Sequence, residues 1–174
     1  MKILQKLVFR FLIKPKLAQL KALLPDVEIF PTGSMYVCNP PVISTDLDFI
    51  VYNSEDLSKR LTSLGFTAHT LEYPFESKWD FSTWRKDKLN LIFSSSKEFT
   101  NRFMVATHVC KEKNIRIKYH RVVVHEIIRD SVKVDTFPSD FDKELEIYLR
   151  KFSGQYEDVM WKAYMINHNL TGVR

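Results

Sequence analysis

Residues 27–52, VEIFPTGSMYVCNPPVISTDLDFIVY, decide how this chain is read. The stretch opens with a short β-prone run at 27–30, interrupted by Pro31-Thr32-Gly33-Ser34. Eleven further residues, 35–45, lead to Asp46-Leu47-Asp48 inside an apolar segment. Residues 45–52, TDLDFIVY, contain β-branched and aromatic residues and no breaker, which predicts a buried strand. Alternation along a strand puts Asp46 and Asp48 on one face and turns Leu47 and Phe49 into the core. Two carboxylates about 7 Å apart on such a face repel each other, and a hard divalent cation such as Mg²⁺ neutralises them naturally. The Gly-Ser turn supplies the complementary half. Glycine allows close backbone approach, and free N–H groups with the Ser34 hydroxyl can cradle phosphate oxygens. The two halves describe a site for a metal-bound polyphosphate.

This pattern resembles the nucleotidyltransferase superfamily related to DNA polymerase β, whose hallmark is an apolar strand, Gly-Ser, a spacer of this size, then Asp-x-Asp. Thr32-Gly33-Ser34 and Asp46-Leu47-Asp48 carry the resemblance, which covers roughly residues 25–95. The later stretch, with Asn90-Leu91-Ile92, Phe99, Ala106 and Arg121-Val122, is also similar to small phage-encoded nucleotidyltransferase-like proteins. The resemblance implies an α/β (α+β) fold: a mixed sheet flanked by helices. It further implies that Asp46 and Asp48 hold two Mg²⁺ (or Mn²⁺) ions and that Gly33 and Ser34 hold the terminal phosphates of an NTP. An acceptor hydroxyl then attacks the α-phosphorus and pyrophosphate leaves.

Family members usually carry a third carboxylate on a neighbouring strand. Here the corresponding run is Lys88-Leu89-Asn90-Leu91-Ile92-Phe93, so Asn90 stands in that place. An amide oxygen ligates Mg²⁺ weakly and cannot act as a base. Three readings follow: Glu72, Asp80 or Asp87 supplies the third acid; the enzyme works with two carboxylates; or the site binds nucleotide without turnover, sequestering it or a partner.

Outward from this segment, the chain of 174 residues has the composition of one globular domain, with 45% hydrophobic and 27% charged residues. No apolar run approaches the length of a membrane span, and a cytoplasmic protein is expected (host cytoplasm if phage-encoded). Two cysteines, Cys38 and Cys110, give neither a disulfide framework nor a metal spacing, and read as buried thiols. The net charge of +5 is unevenly placed. Residues 1–24 hold six Lys or Arg and no acid, for +6, which leaves −1 for the rest. Lys2, Lys6, Arg10 and Lys14 recur every fourth residue beside Leu4, Leu7, Val8, Phe11 and Leu12, a basic amphipathic helix broken or restarted at Pro15. It is open to three uses: packing on the domain with a solvated basic rim, meeting a polyanion such as an acceptor RNA, or lying on a membrane surface.

The remaining elements are read from periodicity. A short helix at 16–24 precedes the decisive segment, and a helix at 53–64 follows it, stopped by Gly65. Residues 66–73 predict a strand, and 78–85 with 88–94 predict a hairpin around Lys86-Asp87. Trp79 and Trp84 in that hairpin read as packing or as a platform for a nucleobase. Arg85 and its basic neighbours read as edge protection or phosphate contacts. Ser95-x-x-Glu98 is a capping box opening a helix with Phe99, Phe103, Ala106, Thr107 and Cys110 inward, and Asn114 its stop. Residues 115–134 are ambiguous and tilt to helix. Two helical stripes follow, Phe141 to Phe152 and Tyr156 to Tyr164. The organisation expected is an arm at 1–24, a nucleotidyltransferase-like core at 25–135, and C-terminal helices at 136–174 packed on it.

Overall fold

A computed structural model describes residues 2–43, 46–69, 80–118, 121–122 and 124–125. The expected C-terminal stripes, Glu72 and Trp79 lie outside the described residues. Five strands form one mixed sheet in the order β1-β2-β5-β4-β3. They are β1 (Glu28–Thr32), β2 (Leu47–Tyr52), β3 (Thr67–His69), β4 (Ser82–Lys86) and β5 (Leu89–Ser94). β2 runs antiparallel to β1 and parallel to β5, while β5, β4 and β3 are successively antiparallel. The α/β architecture read from the sequence is present: a five-stranded mixed sheet with flanking helices.

Alternation divides the sheet into two apolar layers. Ile29, Phe49, Val51, Leu91 and Phe93 pack on one side against Leu20, Leu24, Leu57 and Leu61. Ile50, with Phe30 and Ile92, packs on the other against Phe99, Phe103 and Met104 of the long helix α5 (Lys97–Glu112). Trp84 belongs to the first layer, where its indole N–H donates to Ser82 Oγ (2.8 Å), so this ring is core rather than a stacking platform.

Several boundaries differ from the sequence reading, each for a local reason. Pro31 does not interrupt β1, which runs on to Thr32, because β1 is an edge strand and the missing N–H costs no ladder bond. Gly33-Ser34 opens a one-turn helix, α3 (Gly33–Val37), rather than an open turn. The helix expected over 53–64 is confined to α4 (Ser58–Ser63). The side chains of Asn53 and Asp56 accept the N–H groups of Glu55 (2.8 Å) and Ser58 (2.9 Å), and these local turns displace the helix. Its end is as expected: Gly65 has φ +83°, and Phe66 N–H closes on Leu61 O (2.9 Å). The hairpin turn is Asp87-Lys88, one residue later than read, with Asp87 at φ 51°.

α5 is capped by Ser96, not Ser95; Ser96 Oγ accepts Phe99 N–H at 3.1 Å. All five residues of its expected inward stripe are buried. Asn114, at φ 49°, ends it with Ile115 N–H on Cys110 O (2.9 Å). Of the ambiguous stretch 115–134, residues 115–117 are not helical, 118, 121–122 and 124–125 are, and the others lie outside the described residues.

The N-terminal arm departs most. It is helical from 2 to 23, as α1 (Lys2–Val8), a π-helical turn (Phe9–Ile13) and α2 (Lys14–Leu23). Pro15 sits in the first turn of α2, where its missing N–H and its ring are accommodated by the widened turn before it. That turn shifts the helical phase. The buried residues are Val8, Ile13, Leu20 and Leu24, and the expected stripe residues Leu4, Leu7, Phe11 and Leu12 are exposed.

Candidate active site

The sheet end where β1 leaves and β2 and β5 enter collects the polar residues. Register places Thr32 opposite Asp48, Asp48 opposite Asn90, and Asn90 opposite Arg85, a single row across four strands on the α5 face. Below the row Phe30, Ile50 and Ile92 on the same face are apolar, so on β1, β2 and β5 the polar groups are gathered at its rim. Thr32 Oγ1 shares a buried 2.9 Å hydrogen bond with Thr107 Oγ1, which pins the end of β1 to α5. The sequence signal for that clasp was the position of Thr107 on the inward stripe; its partner could not be read without the sheet register.

Gly33 and Asp48 are in direct contact. Gly33 has φ +73°, and a Cβ built on it would lie 1.9 Å from Asp48 Oδ2 and 2.6 Å from its Cγ. Only glycine fits, since the backbone conformation and the carboxylate both exclude a side chain. Ser34 follows immediately, buried, with its hydroxyl 3.5 Å from Val42 O. The first N–H groups of a helix lack intrahelical acceptors, so the Gly33-Ser34 backbone offers donors at this place.

Burial pushes the Asp48 carboxyl up to about 6. The Asn90 amide opposes this by donating Nδ2–H to Asp48 Oδ1 at 2.8 Å, the Asp46 charge reinforces it, and the Arg121 and Arg85 charges lower it. Two carboxylates and two guanidinium groups therefore act on one another here. Arg121 is fixed by donating to Ile115 O (3.2 Å) and Arg116 O (2.6 Å). Asn90 Oδ1 is buried with no hydrogen-bond partner among the described residues. An acceptor left unpaired in this way costs free energy unless a donor or cation meets it.

Of the acids considered in place of Asn90, Asp80 lies at the opposite end of β5, where its carbonyl accepts Ser94 Oγ–H (2.5 Å), and Asp87 is exposed in the hairpin turn. Among the described residues no three His, Cys, Asp or Glu side chains gather as a cation site. A separate cavity of about 410 Å³ lies between the arm and α3, lined by Gln5, Lys6, Phe9, Ile13, Met35, Tyr36 and Lys111; neither Asp46 nor Asp48 borders it. Sequence reasoning missed one more device beside the site. Asn39 and Asn114 exchange two 2.7 Å bonds between backbone and side-chain amide, tying the loop after α3 to the end of α5. No family model matches the chain, and the searches of curated proteins and of solved structures found no match.

Proposed function

We propose that the chain is a nucleotidyltransferase like those related to DNA polymerase β, moving a nucleoside monophosphate from an NTP to a hydroxyl acceptor. The observation that carries the reading is the contact of Asp48 with Gly33, which joins the Gly-Ser half of the motif to the Asp-x-Asp half. The residues fit a hard divalent cation: two interacting carboxylates, Asp46 and Asp48, and the unpartnered Oδ1 of Asn90. Mg²⁺ or Mn²⁺ is held in such sites by one or two carboxylates together with substrate phosphates. When bound, the ion supplies electrostatic stabilisation of the phosphoryl oxygens.

The chain's own residues position and neutralise. The Gly33-Ser34 backbone and the Ser34 hydroxyl hold the terminal phosphates, and Arg85 and Arg121 lend positive charge from β4 and from beyond α5. The acceptor oxygen bonds to the α-phosphorus, the bond to the bridging oxygen of pyrophosphate breaks, and the hydroxyl proton leaves to solvent or to a substrate phosphate. No side chain is required as base, which suits Asn90 in this row. The acceptor is an RNA end, a protein side chain or a small molecule.

A second reading is favoured by one observation. The Asn90 amide donates to Asp48, where a third carboxylate would ligate the metal, so the site suits nucleotide binding without turnover. Incubating the protein with each α-labelled NTP, Mg²⁺ or Mn²⁺, and a cell extract as acceptor pool separates the two. Label transferred to RNA, protein or a small molecule, and lost in Asp46→Ala/Asp48→Ala, supports transfer. Nucleotide binding without transfer, unchanged by Asn90→Asp, supports the binding module.

A further inference from the structure

The face of the arm turned away from the body is apolar. Seven of the nine large apolar side chains exposed among the described residues belong to residues 3–23, which sets this element apart from the rest of the surface. Ile3, Leu7 and Phe11 follow one another at intervals of four, with Leu4 beside them; Ile3 is 73% and Phe11 62% exposed. The arm is held from its other side. Val8 and Ile13 are buried, and Gln5 Nε2–H donates to Tyr36 O at 3.3 Å.

In sequence each member of the Ile3, Leu7, Phe11 row is preceded by a basic residue, Lys2, Lys6 or Arg10, about 100° away around a helix. The Arg10 guanidinium stands 5.5 Å from the centre of the Phe11 ring. Residues 1–24 contain no acid, so nothing in the arm offsets the six cations. Lys6 also lines the cavity between arm and body, where Lys111 Nζ lies 3.7 Å from the centre of the Tyr36 ring. An occupant of this face must be apolar and negatively charged at once. RNA satisfies the charge and leaves the apolar row in water. A neutral protein surface satisfies the row and leaves the charge.

We propose that the arm is a membrane-surface anchor that lies along an anionic lipid bilayer. The Ile3, Leu7, Phe11 row enters the headgroup–acyl boundary, and the flanking Lys and Arg meet the lipid phosphates and carboxylates. No helix among the described residues is long and apolar enough to cross a membrane, so the association is peripheral. The sheet end with Asp48 is carried by other elements, so this surface and the nucleotide site stand or fall separately.

Flotation of the purified full chain with vesicles of phosphatidylcholine, with and without phosphatidylserine, tests this. Wild type is expected to float with the anionic vesicles and not with the neutral ones. Lys6→Glu/Arg10→Glu, at two solvent-exposed positions, should weaken binding at least 30-fold. Leu7→Asp/Phe11→Asp should abolish it while leaving the thermal midpoint unchanged. Absence of flotation by wild type, or flotation of either variant equal to that of wild type, overturns the proposal. So does a large loss of stability in Leu7→Asp/Phe11→Asp, which would mean that the chain itself covers this face. Self-association abolished by the same variant would assign the face to a second copy. Binding of an RNA oligonucleotide lost in Lys6→Glu/Arg10→Glu but kept in Leu7→Asp/Phe11→Asp, without flotation, would assign it to nucleic acid.

Discussion

At Gly33 the chain leaves β1 in a left-handed conformation with the Asp48 carboxylate against its Cα, so a single methyl group tests the junction. Gly33→Ala is expected to destabilise by about 2 kcal/mol or more, through the positive φ and the displaced carboxylate together. It should also impair nucleotide binding more than the stability loss accounts for; denaturant midpoints and calorimetry on the same sample check both. Asp48 makes the opposite prediction. Its folded-state pKa, about 6 against an ordinary 3.8, means that the folded protein holds a proton which the unfolded chain has released between those pH values. Stability in the metal-free protein therefore falls as pH rises from about 4 to 6 and stays lowered above. The deficit at neutral pH is on the order of 3 kcal/mol. Asp48→Asn keeps the shape and removes the charge, so it should be the more stable protein at neutral pH, with the advantage disappearing below about pH 4. Urea unfolding with a chelator present, across that range, reads the difference.

Among the elements, α5 gives the sharpest test of a local rule. Three serines precede it, and periodicity alone does not choose among them. The structure selects Ser96, whose Oγ accepts Phe99 N–H, while Ser94 Oγ–H is spent on Asp80 O. Ser96→Ala should cost about 1 kcal/mol and Ser95→Ala less than about 0.5 kcal/mol, measured as shifts in thermal midpoint. The same elements explain what could be read in advance. β2 was legible because it is buried on both faces and has no breaker, and the inward stripe of α5 because its apolar spacing is regular. The capping residue and the start of α4 were not, because side chains of Ser, Asn and Asp compete for the same N–H groups. The arm was misread because its hydrophobic pattern presumes an unbroken α-helix. The π turn before Pro15 inserts an offset that sequence periodicity does not register. For the site, Gly33-Ser34 and Asp46-x-Asp48 could be found by spacing. The row Thr32, Asp48, Asn90, Arg85 required the pairing of β2 with β5, strands 42 residues apart in the chain.

At the scale of the molecule, two apolar layers enclose the sheet among the described residues, and the two thiols report on their integrity. Cys38 and Cys110 are both fully buried; burial pushes the Cys110 thiol up to about 12 and raises Cys38 as well. Neither should react with a thiol reagent in the native protein at neutral pH, and labelling should proceed at the rate of opening, accelerating with urea. Fast labelling of either would contradict the packing of α5 against the loop that follows α3. Charge is likewise a property of the whole. The basic character belongs to the arm, and the body is nearly neutral, so phosphate binding as proposed would depend on a few placed groups and not on a general positive field. On the proposed reading these groups, gathered at Gly33 and Asp48, bind a metal-bound nucleoside triphosphate. Isothermal titration of each NTP into wild type and Asp48→Asn, with Mg²⁺ and then with a chelator, tests it most directly. Wild type is expected to bind saturably with a requirement for Mg²⁺, and Asp48→Asn to lose that binding even though it is the more stable protein. Equal binding by the two, or no binding of any NTP by wild type, would contradict it.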